Sequence, residues 1–384
     1  MNAINQLHKL GQSIWYDNIQ RRLLENGEMA QLIAQGDIRG VTSNPSIFHN
    51  AISRSNDYDA ALKSMAWSSL STEEMFYQLA LEDIRAAADL FLPLYKQSNG
   101  ADGYVSMEVS PYLARDTAGT ISEAKRLWDL VNRPNLMVKI PATAQGIEAI
   151  NKSIAAGINI NVTLIFSLDR YKQVMEAYLS GLEERVTQGL PIDTIASVAS
   201  FFVSRVDSKV DGQLQALIKN EGPVSDQATQ LLGKAAIANA RLAYVLFRQT
   251  FGTERFNRLQ KHGARFQRPL WASTSTKNPA YRDVMYVEDL IGPDTVNTVP
   301  PQTLDAFRDH GHAEITLQDE ASDSTQLLEK VESLGISMKQ VTQQLEEEGV
   351  KAFSDAFNAL LKTISERTNI AQNELGSLQK PAQA

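Results

Sequence analysis

Lys139 is the residue whose type and position most need a chemical explanation. It lies in the apolar run Leu136-Met137-Val138-Lys139-Ile140. In a parallel strand buried on both faces, alternate side chains point to opposite sides of the sheet. Leu136, Val138 and Ile140 therefore share one face, and Met137 and Lys139 share the other. The same parity pairs Ser106 with Glu108 in Val105-Ser106-Met107-Glu108-Val109, and Asn161 with Thr163 in Ile160-Asn161-Val162-Thr163-Leu164. Asp17 shares parity with Trp15, Asn44 follows a short apolar run, and Ser200 lies within another. Each of these polar residues falls near the C-terminal end of its run. An ammonium buried without compensation costs several kcal/mol, so an inward Lys139 needs either an ion-pair partner, Glu108 or Asp17, or a function.

The function such an amine suggests is covalent. Desolvation lowers a lysine pKa from about 10.4 toward neutrality, and the free amine then attacks a carbonyl to form a Schiff base. The iminium is an electron sink for cleavage of a neighbouring carbon–carbon bond. That cleavage requires a base for the adjacent hydroxyl, and imine formation requires a proton for the departing water. Asp17 and Glu108, on different strands, are the carboxylates available to flank the amine. The bland alternative is that the polar groups satisfy one another or the backbone ends.

Eight strand-like runs carry these residues: 13–18, 40–43, 103–109, 136–140, 159–166, 195–203, 268–272 and 296–299. Amphipathic stretches of helical period separate them, including 71–94, opened by the capping signal Ser71-Thr72-Glu73-Glu74, and 167–188. No Gly-x-Gly-x-x-Gly turn follows any run, which favours a closed (β/α)8 TIM barrel over an open doubly wound sheet. Helical insertions are expected at 47–99 and 207–267, and helices alone after 313, with a long one over 338–363; the segment after 313 either packs over the barrel mouth, the favoured reading, or serves a subunit contact. The expected organisation is one barrel domain over 1–365, C-terminal helices included, and a flexible tail over 366–384. Trp67 and Trp128 are read as packing residues.

The chain has 384 residues, 43% hydrophobic and 21% charged, with 21 Gly and 13 Pro, which excludes a disordered or collagenous protein. Its 37 Lys and Arg against 45 Asp and Glu give a net charge of −8, which argues against nucleic-acid partners and requires any phosphate site to be local. With zero cysteines, disulfides, thiol nucleophiles and Cys-based metal sites are excluded. Neither a signal peptide nor a membrane-spanning run is visible, so a cytoplasmic protein is expected. His310-Gly311-His312, with no carboxylate at ligand spacing, reads as a surface loop and not as a metal site. Glu346-Glu347-Glu348 reads as a solvated helix face, with Glu347 able to pair with Lys351.

Two segments resemble the transaldolase family of Schiff-base-forming aldolases: Gly40-Val41-Thr42-Ser43-Asn44-Pro45-Ser46-Ile47-Phe48, and Leu136 to Thr143 around the lysine. Tyr16-Asp17-Asn18, Ser106 to Val109, Asn161 to Ser167, Ser200 to Arg205 and Trp271 to Lys277 add to the likeness, which runs in family order from about residue 10 to 300. The resemblance implies a transfer of a dihydroxyacetone unit from a ketose phosphate to an aldose phosphate, without cofactor or metal. Lys139 would form the imine, Asp17 would act as acid and base, and Glu108 would work through a water. Asn44, Asn161, Thr163 and Ser200 would hold that water and substrate hydroxyls, and Arg205 and Lys277 would take the phosphate. Many family members carry Ser-Phe-Arg where this chain has Ser275-Thr276-Lys277, so phosphate contact could instead shift to Arg265 or Arg268. Sugar phosphates are the expected partners, with no membrane, and the chain is expected to be a monomer or homodimer. The rivals are a fructose-6-phosphate-type aldolase releasing free dihydroxyacetone, a barrel holding pyridoxal phosphate on its lysine, and a non-catalytic sugar-phosphate binder or interaction protein.

Overall fold

A computed structural model of the chain describes residues 3–219, 222–317 and 322–378. Its centre is a closed parallel barrel of eight strands in sequence order. They are β1 (Gln12–Tyr16), β2 (Gly40–Val41), β3 (Tyr104–Glu108), β4 (Leu136–Pro141), β5 (Ile160–Ile165), β6 (Ser197–Phe202), β7 (Gln267–Ala272) and β8 (Thr295–Val299). All eight expected runs are strands, and β8 closes the ring by pairing with the whole of β1. The second is the shortest, because beyond Val41 only the Thr42 N–H continues toward β1, donating to the Tyr16 carbonyl. Trp15 fills the barrel interior against β2: a Cβ on Gly40 would lie 2.6 Å from its indole ring, so only glycine fits there.

Register sets the polar residues at one level. Glu108, Lys139 and Asn161 lie side by side across β3, β4 and β5. The β5–β6 register then shifts between Val162 and Ile165, and Leu164 takes a left-handed φ of 58°. This bulge turns Leu164 outward beneath the C-terminal helix, where a Cβ on Gly349 would lie 2.9 Å from Leu164 Cδ2.

Helices coat the barrel. The 47–99 insertion is helical over Pro45–Ser53, Asp59–Met65 and Thr72–Gln97, and a reciprocal Ser71/Glu74 capping box starts the last of these. The 207–267 insertion holds Ser204–Ile218, Pro223–Leu231, Ala235–Phe251 and Glu254–Gln260. Phe76 and Ile84 of the first and Ala240 and Phe247 of the second belong to the same buried core as the strands. No helix among the described residues is long and apolar enough to cross a membrane.

The C-terminal helix, Met338–Leu378, lies across the end of the barrel from which Lys139 points, and it departs from two expectations, the boundary at 366 and the partner of Lys351. The boundary at 366 falls inside this helix, which buries Thr368 and Ala371; residues 379–384 lie outside the described ones. The 346–348 run keeps its solvated face, with Glu347 and Glu348 exposed, yet Glu346 pairs with Arg170 of Leu168–Thr187 at 3.3 Å and Glu348 with Lys209 of Ser204–Ile218 at 2.5 Å. Lys351 pairs with Asp355 at 2.5 Å instead of with Glu347. Trp67 is also not a packing residue. It is 67% exposed in the turn after Asp59–Met65, whereas Trp128 is partly buried against the core. His310 ends the helix Pro301–His310 and lies 2.9 Å from Asp283 and 3.1 Å from Asp309, so carboxylates do surround it. No group of three or more metal-type side chains occurs among the described residues.

Candidate active site

Inward positions of β4, β5, β6 and β8, and residues just past β1, β2 and β7, bring polar side chains to the C-terminal mouth. Lys139 is 5% exposed, and its Nζ donates to the Ser43 carbonyl at 2.9 Å and stands 3.8 Å from Glu108 Oε2. Lys139 opens on a cavity of about 190 Å3 that Asp17, Asn44, Thr163, Ser200, Arg205 and Lys277 also line. Seven of the nine expected residues thus meet in one space. Glu108 and Asn161 stand behind its wall. Asn161 is spent holding the wall together: its Oδ1 accepts from Ser200 Oγ at 2.7 Å and its Nδ2 donates to Ser106 Oγ at 3.0 Å. Asn44 is half committed, because its Oδ1 caps the helix Pro45–Ser53 by accepting from the Ile47 N–H, and its amide nitrogen is left for other partners.

Two buried polar atoms at this level, Thr163 Oγ1 and Glu108 Oε2, have no hydrogen-bond partner among the described residues. Buried polar groups are nearly always hydrogen-bonded, so Thr163 Oγ1, together with a Glu108 Oε2 that has only its ion pair with Lys139, marks a place where a further polar group fits. Backbone strain collects here too: Ser273, just past β7, has a φ of 56°, and its carbonyl and Oγ bond the N–H and Oγ of Ser204.

The carboxylates are tuned in one direction. Burial pushes Asp17 up, against the Thr42 hydroxyl that donates to its Oδ1 at 2.6 Å and the positive charges of Lys139, Lys277 and Arg205. Burial also raises Glu108 from 4.5 to about 7, against Lys139 and with help from Asp17. A carboxyl held at about 7 can give and take a proton near neutral pH, and burial moves Asp17 in the same direction. Glu108 also makes stability depend on pH. A carboxyl with a raised folded-state pKa holds its proton more tightly folded than unfolded, so its contribution is full below the unfolded value and is lost as pH rises toward about 7. Between pH 4.5 and 7.5 the native protein should therefore lose roughly 3 kcal/mol that Glu108→Gln retains. Thermal melts of both proteins across this range check it. Equal pH dependence would show that Glu108 titrates normally.

At the cavity's outer side the cations converge. Arg205 opens the helix Ser204–Ile218 with its guanidinium 5.1 Å above the Phe202 ring, and burial lowers its pKa. Lys277 reaches the surface and donates to Ser275 Oγ at 2.6 Å; partial desolvation and then the Arg205 charge lower its pKa. Arg265 and Arg268 do not share this site. Arg268 is the second residue of β7, at the opposite end of the barrel, where it holds Asp102 at 3.1 Å together with Arg39 at 2.6 Å. Arg265 lines the same far cavity, of about 620 Å3, and donates to the Asp193 carbonyl. Asp102 there takes both Arg39 and Arg268, whose positive charges lower its pKa against burial.

Sequence reasoning missed several lining residues. Thr298, on the inward face of β8, is 2.7 Å from Thr42, and the two support Asp17; the same parity argument would have found Thr298. Gln302 and Phe353 come from helices and carried no such signal.

A family described as Transaldolase/Fructose-6-phosphate aldolase matches residues 14–364. The chain is 47% identical over 367 residues to a protein of Thermobifida fusca (strain YX) named Transaldolase, covering 95% of this chain and 98% of that one. It is 48% identical to Transaldolase 2 of Streptomyces coelicolor over 94% of this chain and 96% of that protein. For Transaldolase of Trichodesmium erythraeum the figures are 44%, 95% and 97%.

Proposed function

The chain belongs to the transaldolase/fructose-6-phosphate aldolase family and is a transferase of the transaldolase kind; on that premise we propose that Lys139 carries a dihydroxyacetone unit from a ketose phosphate to an aldose phosphate as a Schiff base. The donor is fructose 6-phosphate or sedoheptulose 7-phosphate, and the acceptor is erythrose 4-phosphate or glyceraldehyde 3-phosphate. Lys139 Nζ in its free-base form attacks the donor C2 carbonyl. Glu108, with a pKa of about 7, supplies the proton with which water leaves the carbinolamine. Asp17 removes the proton of the C4 hydroxyl, the C3–C4 bond breaks, and its electron pair moves into the iminium to give an enamine. The shortened aldose phosphate departs. The enamine then attacks the acceptor aldehyde, Asp17 returns its proton to the new hydroxyl, and water releases the product ketose. One water is lost and one regained, so no redox partner or cofactor enters the balance.

The observation that carries this reading is the buried Lys139 amine, 3.8 Å from one acid and sharing a cavity with a second. Thr163 Oγ1 serves the catalytic water, Asn44 and Ser200 hold donor hydroxyls, and Asn161 positions Ser200. Arg205 and Lys277 attract the phosphate to a protein of net charge −8. A cysteine-free chain also suits a cytoplasmic setting.

Fructose 6-phosphate supplied alone separates transferase from aldolase. Less than one turnover of free dihydroxyacetone is expected, with multiple turnover appearing as transferred ketose phosphate once an aldose phosphate is added; sustained release of free dihydroxyacetone without acceptor would favour the aldolase. The phosphate assignment has its own test. Arg205→Ala should raise KM for fructose 6-phosphate about 10- to 100-fold, the loss of one or two charge-assisted hydrogen bonds, and Lys277→Ala should raise it less, because that side chain is solvated. Unphosphorylated fructose should be nearly indifferent to either change, and equal losses with both donors would remove the phosphate role.

A further inference from the structure

The cavity is walled mostly by hydroxyl, amide and charged side chains, yet one aromatic ring reaches the amine from outside the barrel. Phe353, on the C-terminal helix, has its ring centroid 5.9 Å from Lys139 Nζ and is 7% exposed. The face that presents it is anchored on both sides. One turn or two earlier, Glu346 and Glu348 pair with Arg170 and Lys209, and Gly349 lets the helix descend onto Leu164. One turn later, Phe357 packs edge-on against Phe76 and Tyr112, with centroids 5.4 Å apart in both cases. Such a clamp fixes an apolar ring where the polar walls alone would admit water.

The enamine on Lys139 has two fates. It can attack an aldehyde carbon, forming the new carbon–carbon bond. Alternatively a proton adds to its carbon, water adds to the resulting C=N bond, and free dihydroxyacetone leaves while the amine is restored. Only the second needs a proton from water at the enamine carbon; in both fates water finally adds to a C=N bond to restore the amine. Resting on the proposed Schiff-base reading, we propose that Phe353 is a specificity-determining residue that sets the partition between these fates by keeping water, the proton source, from the enamine carbon.

The measurement is the ratio of free dihydroxyacetone released from fructose 6-phosphate to sugar transferred to erythrose 4-phosphate, read alongside borohydride labelling of Lys139. Phe353→Ala should raise the ratio at least tenfold. Phe353→Gln, which keeps length and helix propensity and so remains informative if the alanine variant fails to fold, should raise it similarly. Phe353→Leu, still apolar, should stay within about threefold of the parent. Labelled Lys139 with a ratio within twofold of the parent in both polar-opening variants would overturn the inference alone, as would loss of transfer with no gain in release. Absence of label in the parent would instead remove the Schiff-base reading beneath it.

Discussion

Lys139→Arg should lower kcat for dihydroxyacetone transfer by about 10^4-fold or more, roughly 5.5 kcal/mol of transition-state stabilisation, while the melting temperature stays within a few degrees. Arginine keeps a positive charge beside Glu108 and a donor toward the Ser43 carbonyl, so the electrostatic support of the barrel mouth survives. What disappears is the nucleophile, since a guanidinium does not lose its proton in a protein and forms no imine with a ketone. A large kinetic loss with a small thermal change separates this role from that of a buried ion pair, whose rearrangement would show first in stability. Steady-state transfer assays paired with thermal melts measure both. Retention of more than a tenth of the activity would mean that the amine is only half of a salt bridge.

Asp17→Asn should cost about 10^2- to 10^4-fold in kcat, the range for a positioned acid–base group, and should change what accumulates on the enzyme. The amide cannot accept the C4 hydroxyl proton, although it still fits beside the Thr42 hydroxyl. Lys139 and Glu108 are untouched, so the donor imine still forms but does not cleave. Reduction with borohydride in the presence of fructose 6-phosphate should then trap an intact six-carbon phosphate adduct, where the parent yields a three-carbon one. A three-carbon adduct formed by the variant at the parent's rate would place the base elsewhere.

The mouth of the barrel was largely legible because strand parity has a period of two. A lysine or acid at an inward position of an apolar strand has few other reasons to exist, and Lys139, Glu108, Asn161 and Thr163 occupy the expected inner side. Reach and depth within the barrel were less legible. Asn161 lies level with Lys139, but its shorter side chain does not line the cavity and is consumed by Ser106 and Ser200. Arg268 shows the same lesson more sharply, since the second residue of a strand lies at the base, far from the mouth. Contacts made by helices were not legible at all. The pairing of Glu346 with Arg170 and of Glu348 with Lys209 follows only from where the C-terminal helix lies, as does the approach of the Phe353 ring to an amine supplied by β4. Helical period states which residues share a face but not what that face meets.

The most direct measurement is reductive trapping. Protein incubated with fructose 6-phosphate and borohydride, then digested and mapped by peptide mass, should carry one stable three-carbon adduct, confined to the peptide containing Lys139, with activity lost in proportion to labelling. A protein that remains unlabelled while turning over donor and acceptor, or an adduct on any other lysine, would contradict a covalent mechanism at Lys139.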